Sequence, residues 1–128
     1  MNIDKITAAA DRIRGHAVRT PLLSAPLLNE TAGRRIFVKA ECLQKTGSFK
    51  YRGARSATTA LEPDIRSRGV LAFSSGNHAQ GVALAARELG IPAVIVMPED
   101  APSLKIANTR AYGAEVVLYD REIESRED

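Results

Sequence analysis

The feature that most constrains the fold is a regular alternation of apolar runs and small-residue segments between Gly69 and Tyr119. The apolar runs predict strands, and the alanine-containing segments between them have the spacing of helices. Continuous apolar runs separated by helices favour a parallel sheet with right-handed crossover connections. The predicted order is strand 70–73, helix 78–89, strand 93–97, helix 103–112 and strand 115–119. The sequence therefore predicts an α/β fold, a parallel sheet with flanking helices.

The first half of the chain has a less regular pattern. Apolar residues at helical intervals predict an amphipathic helix at its start, and alanines at similar intervals predict a second helix further on. The predicted elements are a helix at 3–13, a turn at 19–23, a break at Gly33, a strand at 36–40 and a helix at about 49–61. The last residues, 120–128, are highly charged, which predicts either a solvated tail or the first turns of a helix.

Composition argues against several classes of protein. The 128 residues are 45% hydrophobic and 26% charged, as in globular proteins, and this length predicts one domain. The 18 basic and 15 acidic residues are dispersed, without the basic run that nucleic-acid binding favours. A single cysteine, Cys42, allows no internal disulfide and predicts a cytoplasmic location. We find neither a signal peptide nor an apolar segment of about 20 residues, and expect no export or membrane insertion.

The segment KTGSFKYRGA at 45–54 places Lys50 at a loop-to-helix junction. Backbone N–H groups and the helix dipole favour anions at such a junction. A lysine amine forms an imine with an aldehyde, and partial burial lowers a lysine pKa toward that of a usable nucleophile. Most lysines at such junctions are ordinary surface residues, so the segment taken alone leaves both interpretations open.

A second motif, SSGNHAQG at 74–81, lies between a predicted strand and a predicted helix. Small-residue turns at the carboxyl ends of parallel strands bind ligands, and their N–H groups can hold a carboxylate or phosphate. The motif is neither a dinucleotide fingerprint nor a Walker loop. In the alternative interpretation, Asn77 or Ser75 caps the helix and His78 is an ordinary first-turn residue.

Taken together, the two motifs resemble the paired signature of fold-type II (tryptophan synthase β-like) pyridoxal-phosphate (PLP) enzymes. Within that family the similarity is greatest to threonine/serine dehydratases and serine racemases. The resemblance covers nearly the whole chain and identifies it with the N-terminal part of such enzymes. It implies a lysine-bearing segment at about 1–65 and the start of a small α/β domain at about 66–128. The matching segments are RTPL at 19–22, VKAECLQ at 38–44, SFKYRGA at 48–54, SSGNHAQG at 74–81 and IVMP at 95–98.

The resemblance implies a PLP-dependent ammonia-lyase that converts threonine or serine to a 2-oxo acid and ammonia. Lys50 would bind PLP covalently and move the Cα proton, Phe49 would pack near the cofactor ring, and Asn77 would hydrogen-bond its 3′-oxygen. Serine racemases have serine at the position of Ser75, whereas threonine dehydratases usually have alanine. Ser75 is therefore expected either to act in racemisation, on the face opposite Lys50, or only to hydrogen-bond the carboxylate. The turn implied to hold the substrate α-carboxylate consists of Ser74, Ser75, Gly76, Asn77 and His78.

Members of this family are more than twice as long as this chain, and the resemblance implies that their C-terminal part is absent here. That part carries the glycine-rich loop that holds the PLP phosphate. We therefore expect weak or no activity from the chain alone, an amino-acid substrate, and either a homo-oligomer or a complementing C-terminal chain. We assign no metal, nucleic-acid or membrane site. The alternative is a non-catalytic small-molecule or regulatory binding module that retains the carboxylate-binding turn.

Overall fold

A computed structural model describes residues 2–125, which fold into six helices and five strands. The elements are α1 Ile3–Ile13, β1 Leu22–Leu23, α2 Pro26–Ala32, β2 Val38–Lys39, α3 Lys50–Thr59, α4 Pro63–Ser67, β3 Val70–Phe73, α5 Asn77–Leu89, β4 Ala93–Pro98, α6 Ser103–Ala111 and β5 Glu115–Tyr119. Two short 3-10 turns, Glu41–Leu43 and Lys45–Gly47, connect β2 to α3. No helix within the described range has the length and apolar character needed to cross a membrane.

Strands β3, β4 and β5 form a parallel sheet in that order, which confirms the predicted α/β fold. Val70 pairs with Ala93 in the first ladder, and Val94 pairs with Glu115 in the second. Parallel neighbours need a long crossover, and here α5 and α6 provide it. The predicted strands match the observed ones to within one residue, because continuous apolar runs bounded by glycine and proline are strong local signals.

The core lies between α3, α5 and one face of the sheet. Ile95 and Met97 of β4 are fully buried, and so is Tyr51 of α3. Complete burial of side chains of this size contributes about 1.5–3 kcal/mol each. The core-facing side of α5 consists mainly of alanines, so this helix can approach its neighbours closely. The prediction that the chain divides near residue 65 stays a prediction, and the core draws side chains from both sides of that point.

The other face of the sheet remains largely uncovered. Leu71 and Phe73 of β3 are 72% and 45% exposed, and Val117 of β5 is 43% exposed. Strand residues alternate between faces, so these side chains lie on the side away from the buried Ile95. Contiguous apolar side chains of this kind mark a surface that packs against another element.

The N-terminal half differs from the sequence prediction in two respects. Only Val38–Lys39 of the predicted strand at 36–40 is extended, and it pairs antiparallel with β1, which lies within the predicted turn. Helices α2 and α4, which begin at Pro26 and Pro63, were not predicted. Proline is favourable as the first residue of a helix, and both occupy that position.

The charged C-terminal segment forms a turn over its first residues. The Glu124 amide donates a 2.8 Å hydrogen bond to the Asp120 carbonyl. The part of the tail prediction that concerns residues 126–128 lies outside the described residues.

Glu41 connects the loop that follows α1 to the start of α3. Arg52 donates two hydrogen bonds of 2.8 Å to its carboxylate, one from Nε and one from Nη2, and the Thr20 hydroxyl donates another. The bidentate contact is the strongest geometry for an arginine and a carboxylate. The hydrogen bonds from Arg52 lower the pKa of Glu41 to about 2, with a smaller contribution from Thr20.

We expect Glu41→Gln to lower the free energy of unfolding by about 2 kcal/mol at neutral pH. The folded-state pKa lies below the ordinary value of 4.5, so the ionised carboxylate stabilises the fold above that value. This contribution is lost as the pH falls toward 2. Urea denaturation between pH 7 and pH 2 should show the wild type and the variant converging in acid, with Glu30→Gln on the exposed α2 as the control. A difference that stays constant with pH would contradict the assignment.

Candidate active site

A cleft of about 370 Å³ lies at the carboxyl ends of the three parallel strands. Open α/β sheets bind ligands at this edge, because the loops after successive strands converge there. Each strand contributes its last residue, the loops after β3 and β5 contribute Ser74, Ser75 and Arg121, and the first turns of α3 and α5 contribute Lys50 and His78. The side chains that line the cleft are Lys50, Phe73, Ser74, Ser75, His78, Pro98, Tyr119 and Arg121.

The structure brings the two sequence motifs together in this cleft. Lys50 comes from the first motif, and Ser74, Ser75 and His78 come from the second. The other predicted site residues, Phe49, Gly76 and Asn77, are not among the side chains that line the cleft. Each of these three is adjacent in sequence to a residue that lines the cleft. The roles predicted for all the site residues stay predictions.

The Lys50 side chain is exposed and lacks the partial burial expected of a reactive lysine. Its Nζ atom lies 5.0 Å from the centroid of the Phe49 ring, a cation–π contact that is weak at an exposed position. Within residues 2–125 this ammonium has neither a hydrogen-bond acceptor nor an ion-pair partner. The amine is therefore available to a ligand that enters the cleft.

The backbone around Lys50 has two notable features: a left-handed residue shortly before it and a close contact with helix α5. Thr46 has φ of 63°, which is left-handed and costly for a β-branched residue. Gly81 of α5 faces the first turn of α3, and a Cβ there would lie 3.1 Å from Lys50 C and Tyr51 N. Gly81 therefore allows α5 to contact the backbone of the candidate cofactor lysine. No role was predicted for Gly81, although a glycine inside a helical pattern is a signal for such an approach.

The turn after β3 is held by its own hydrogen bonds. The Gly76 amide donates to Ser74 Oγ at 3.1 Å, and the Ser74 amide donates to the Val96 carbonyl at 3.0 Å. Gly76 is the N-cap of α5, and no side chain caps the helix. The alternative in which Asn77 or Ser75 is only a helix cap is therefore wrong. The first N–H groups of α5 have no side-chain acceptor and can receive an anionic ligand.

His78 is half-buried at the base of this turn. Burial lowers the pKa of its imidazole, and the positive charge of Lys50 lowers it further. At neutral pH the ring is therefore neutral, with one nitrogen as a donor and the other as an acceptor.

The family of the chain follows from its sequence over almost its whole length. Residues 13–128 match the family model described as pyridoxal-phosphate dependent enzyme. The chain belongs to this family. The fold agrees with the match: the structure of maize serine racemase superimposes with a TM-score of 0.93, at 46% identity, over 98% of this chain and 38% of that one. This similarity confirms the fold-type II assignment.

Two curated relatives in the family show which part of the enzyme is present. An L-threo-3-hydroxyaspartate ammonia-lyase from Pseudomonas sp is 55% identical over 95% of this chain and 38% of its own length. A serine racemase from Schizosaccharomyces pombe is 48% identical over 97% of this chain and 38% of its own length. The chain therefore spans about 38% of the length of the curated relatives it matches.

The residues present fit the reactive end of PLP, the cofactor of this family. The cleft volume is within the range of small-molecule sites, and an unpaired lysine amine faces it. The free N–H groups at the start of α5 suit a carboxylate. The nine glycines are dispersed, so the sequence contains no glycine-rich loop of the kind that holds a cofactor phosphate. The described residues therefore suit binding of the PLP aldehyde and of the substrate carboxylate, but they include no glycine-rich binding site for the PLP phosphate.

Four residues of the cleft were missed by the sequence analysis: Phe73, Pro98, Tyr119 and Arg121. Phe73 and Tyr119 had been assigned to strands, Pro98 to the turn after the strand at 93–97, and Arg121 to the charged tail. Ligands bind at the carboxyl ends of all the strands in a parallel sheet, and considering the ends of all three predicted strands would have identified these residues.

Proposed function

We propose that this chain is the lysine-bearing part of a PLP-dependent ammonia-lyase that acts on a β-hydroxy amino acid. Threonine and serine are the substrates implied by the motifs, and the 3-hydroxyaspartate enzyme among its relatives adds a third. The observation that carries the proposal is the unpaired amine of Lys50 in the same cleft as the turn at Ser74 and Ser75. PLP, when bound, supplies an electron sink for the carbanion at the substrate Cα.

The chain's own residues would position the substrate and move its protons. Lys50 would carry the cofactor, release it to the incoming substrate amine and then take the proton from Cα. The N–H groups and hydroxyls of the turn at 74–78 would hold the α-carboxylate, and neutral His78 could donate to it. Phe49 would pack near the cofactor ring, and the Asn77 amide would donate to its 3′-oxygen.

Serine racemase activity is a second part of the proposal, because Ser75 lines the same cleft as Lys50. Racemisation needs a second group that returns a proton to Cα from the face opposite the first base. A serine hydroxyl is suited to that step. If Ser75 only hydrogen-bonds the carboxylate, Ser75→Ala will reduce dehydration and racemisation together. If it moves a proton, racemisation will fall further than dehydration.

We further propose that residues 1–65 and 66–128 belong to two parts of the active enzyme and that a further polypeptide segment completes the site. The exposed apolar side chains of Leu71 and Val117, on the face of the sheet away from the core, support this proposal. The segment could be a C-terminal continuation of this polypeptide, part of a second copy of the chain, or a separate chain that carries a phosphate-binding loop. A cytoplasmic location is part of the same proposal, supported by the free thiol of Cys42.

The proposal is tested by titrating the chain with PLP, followed by borohydride reduction and peptide mapping. We expect a saturable visible absorbance band and a label on the peptide that contains Lys50. Lys50→Ala should lose both, whereas Lys5→Ala, an exposed lysine on α1, should lose neither. Label scattered over many lysines and unchanged in Lys50→Ala would count against the proposal.

A non-catalytic binding module is the second candidate, and it is supported by the first N–H groups of α5, which no side chain caps. Such a module would use the turn at 74–78 to hold an amino-acid carboxylate. Binding of serine without PLP, combined with the absence of specific labelling at Lys50, would favour this candidate over the enzyme.

A further inference from the structure

The Asn77 side chain is held from one side by a lysine of the next helix. Lys105 of α6 donates a hydrogen bond from Nζ to Asn77 Oδ1, although the two residues are 28 positions apart in the chain. Lys105 is half-buried, so its ammonium lies against α5 instead of extending fully into solvent. The contact joins the two crossover helices at the start of α5, beside the turn that follows β3.

This contact fixes which way the Asn77 amide faces. A lysine ammonium has only donors, so the amide oxygen has to face it. The NH2 group then points away from Lys105, and within residues 2–125 it has no acceptor. An oriented amide of this kind offers two donors and no acceptor. It therefore suits a ligand group that accepts hydrogen bonds, such as a phenolic oxygen, and disfavours a donor.

The same arrangement recurs one helical turn further along both helices. Asn108 of α6 donates from Nδ2 to Gln80 Oε1 at 3.1 Å. Gln80 is only 2% exposed, and its buried Nε2 atom has no hydrogen-bond acceptor among the described residues. In both pairs α6 provides the donor and α5 provides the amide oxygen. The α5–α6 contact thus fixes the direction of two successive side-chain amides.

We infer that Lys105 is a positioning residue that presents the Asn77 NH2 group to the 3′-oxygen of the cofactor. The inference rests on the proposed function, because it takes the role proposed for Asn77. Without the ammonium the amide can rotate by a half turn and offer its oxygen, which would repel the 3′-oxygen. Lys105 acts through Asn77 and need not touch the cofactor.

The orientation is tested first without any ligand. In 1H–15N spectra the Asn77 side-chain amide, assigned with Asn77→Asp, should shift in Lys105→Met, which keeps the apolar stem and removes the charge. Lys105→Arg supplies another donor-only group and should restore the signal. Lys5→Met on α1 is the matched control and should leave it unchanged. A signal that does not respond to Lys105→Met would overturn the inference, whatever the chain binds.

The second arm compares PLP with an analogue that lacks the 3-hydroxyl. We expect Lys105→Met to weaken PLP binding about tenfold and to change binding of the deoxy analogue by less than about twofold. In an Asn77→Ala background, Lys105→Met should have no further effect on PLP. Equal losses for both ligands would mean that Lys105 contacts the phosphate or supports the fold, and would overturn the inference. Failure of the wild type to label at Lys50 would instead count against the proposed function, and the spectra would still decide the orientation.

Discussion

Gly81→Ala is expected to lower the free energy of unfolding by about 2–3 kcal/mol and to move Lys50 out of its place in the cleft. The new Cβ would lie 3.1 Å from Lys50 C and Tyr51 N, and 3.2 Å from Lys50 O. These are backbone atoms in a buried helix contact, so they cannot yield by a side-chain rotation. Either α5 moves away from α3, which opens the core, or the first turn of α3 shifts and carries Lys50 with it.

The control for this prediction is Gly53→Ala in α3. Gly53 is also inside a helix, but a Cβ there meets no atom within 4 Å. Alanine is the better helix former, so this change should raise the free energy of unfolding by about 0.5–1 kcal/mol. Urea denaturation measures both effects, and the fraction of PLP label on Lys50 measures the displacement. The close contact would be refuted if Gly81→Ala were as stable as Gly53→Ala and labelled Lys50 equally well.

Glu88→Ala is expected to lower the free energy of unfolding by about 3 kcal/mol. The Glu88 carboxylate accepts hydrogen bonds from Lys45 Nζ at 2.6 Å and from the Tyr51 hydroxyl, and it lies 3.5 Å from Arg55 Nη1. Tyr51 is fully buried and Arg55 is 5% exposed, so the hydroxyl that donates to Glu88 and the guanidinium that forms an ion pair with it are both shielded from water. Removing the carboxylate leaves a buried hydroxyl and a buried cation without their partner.

The pKa values of this cluster provide a second signature. Burial, reinforced by the hydrogen bond to Glu88, raises the pKa of Tyr51. For Glu88 burial acts to raise the pKa, but the hydrogen bonds from Lys45 and Tyr51 outweigh it and lower the pKa. The ionised carboxylate therefore stabilises the fold above the ordinary carboxyl range, and this contribution is lost as the pH falls through the lowered value. The difference between wild type and Glu88→Ala should shrink in acid.

A double-mutant cycle separates the hydrogen bond from general damage to α5. Glu88→Ala should cost less in a Tyr51→Phe background, because no hydroxyl is then left without an acceptor. Glu99→Ala, an exposed glutamate after β4, is the control for loss of a surface carboxylate and should have little effect. Additive changes in the Tyr51 and Glu88 variants would show that the two side chains are not coupled.

The Glu88 cluster also connects stability to the candidate site. Lys45 lies in the 3-10 turn before α3, Tyr51 follows Lys50 directly, and Glu88 is near the end of α5. These contacts hold both sides of the segment that carries Lys50 against the same helix. Together with Gly81, they fix the backbone of a lysine whose side chain remains exposed.

Most of the second half of the fold was determined by the sequence alone. The strands of the sheet and helices α5 and α6 follow from apolar runs, small residues and flanking glycines, and these signals act between neighbours in the chain. The family was also evident from two motifs, because Lys50 and the turn at 74–81 lie in short segments of specific sequence. The short helices α2 and α4 were not predicted, although Pro26 and Pro63 occupy the first helical position, where proline is favourable.

The geometry of the site was decided only by the tertiary structure. The cleft joins Lys50 to Tyr119 and Arg121, and the contacts that orient its parts connect Gly81 to Lys50, Glu88 to Tyr51 and Lys105 to Asn77. Each of these pairs is far apart in the chain and belongs to different elements. Their contacts depend on how closely two helices cross and on which faces meet. Those quantities are set by the packing of the whole core, to which every element contributes, and no local stretch of sequence specifies them.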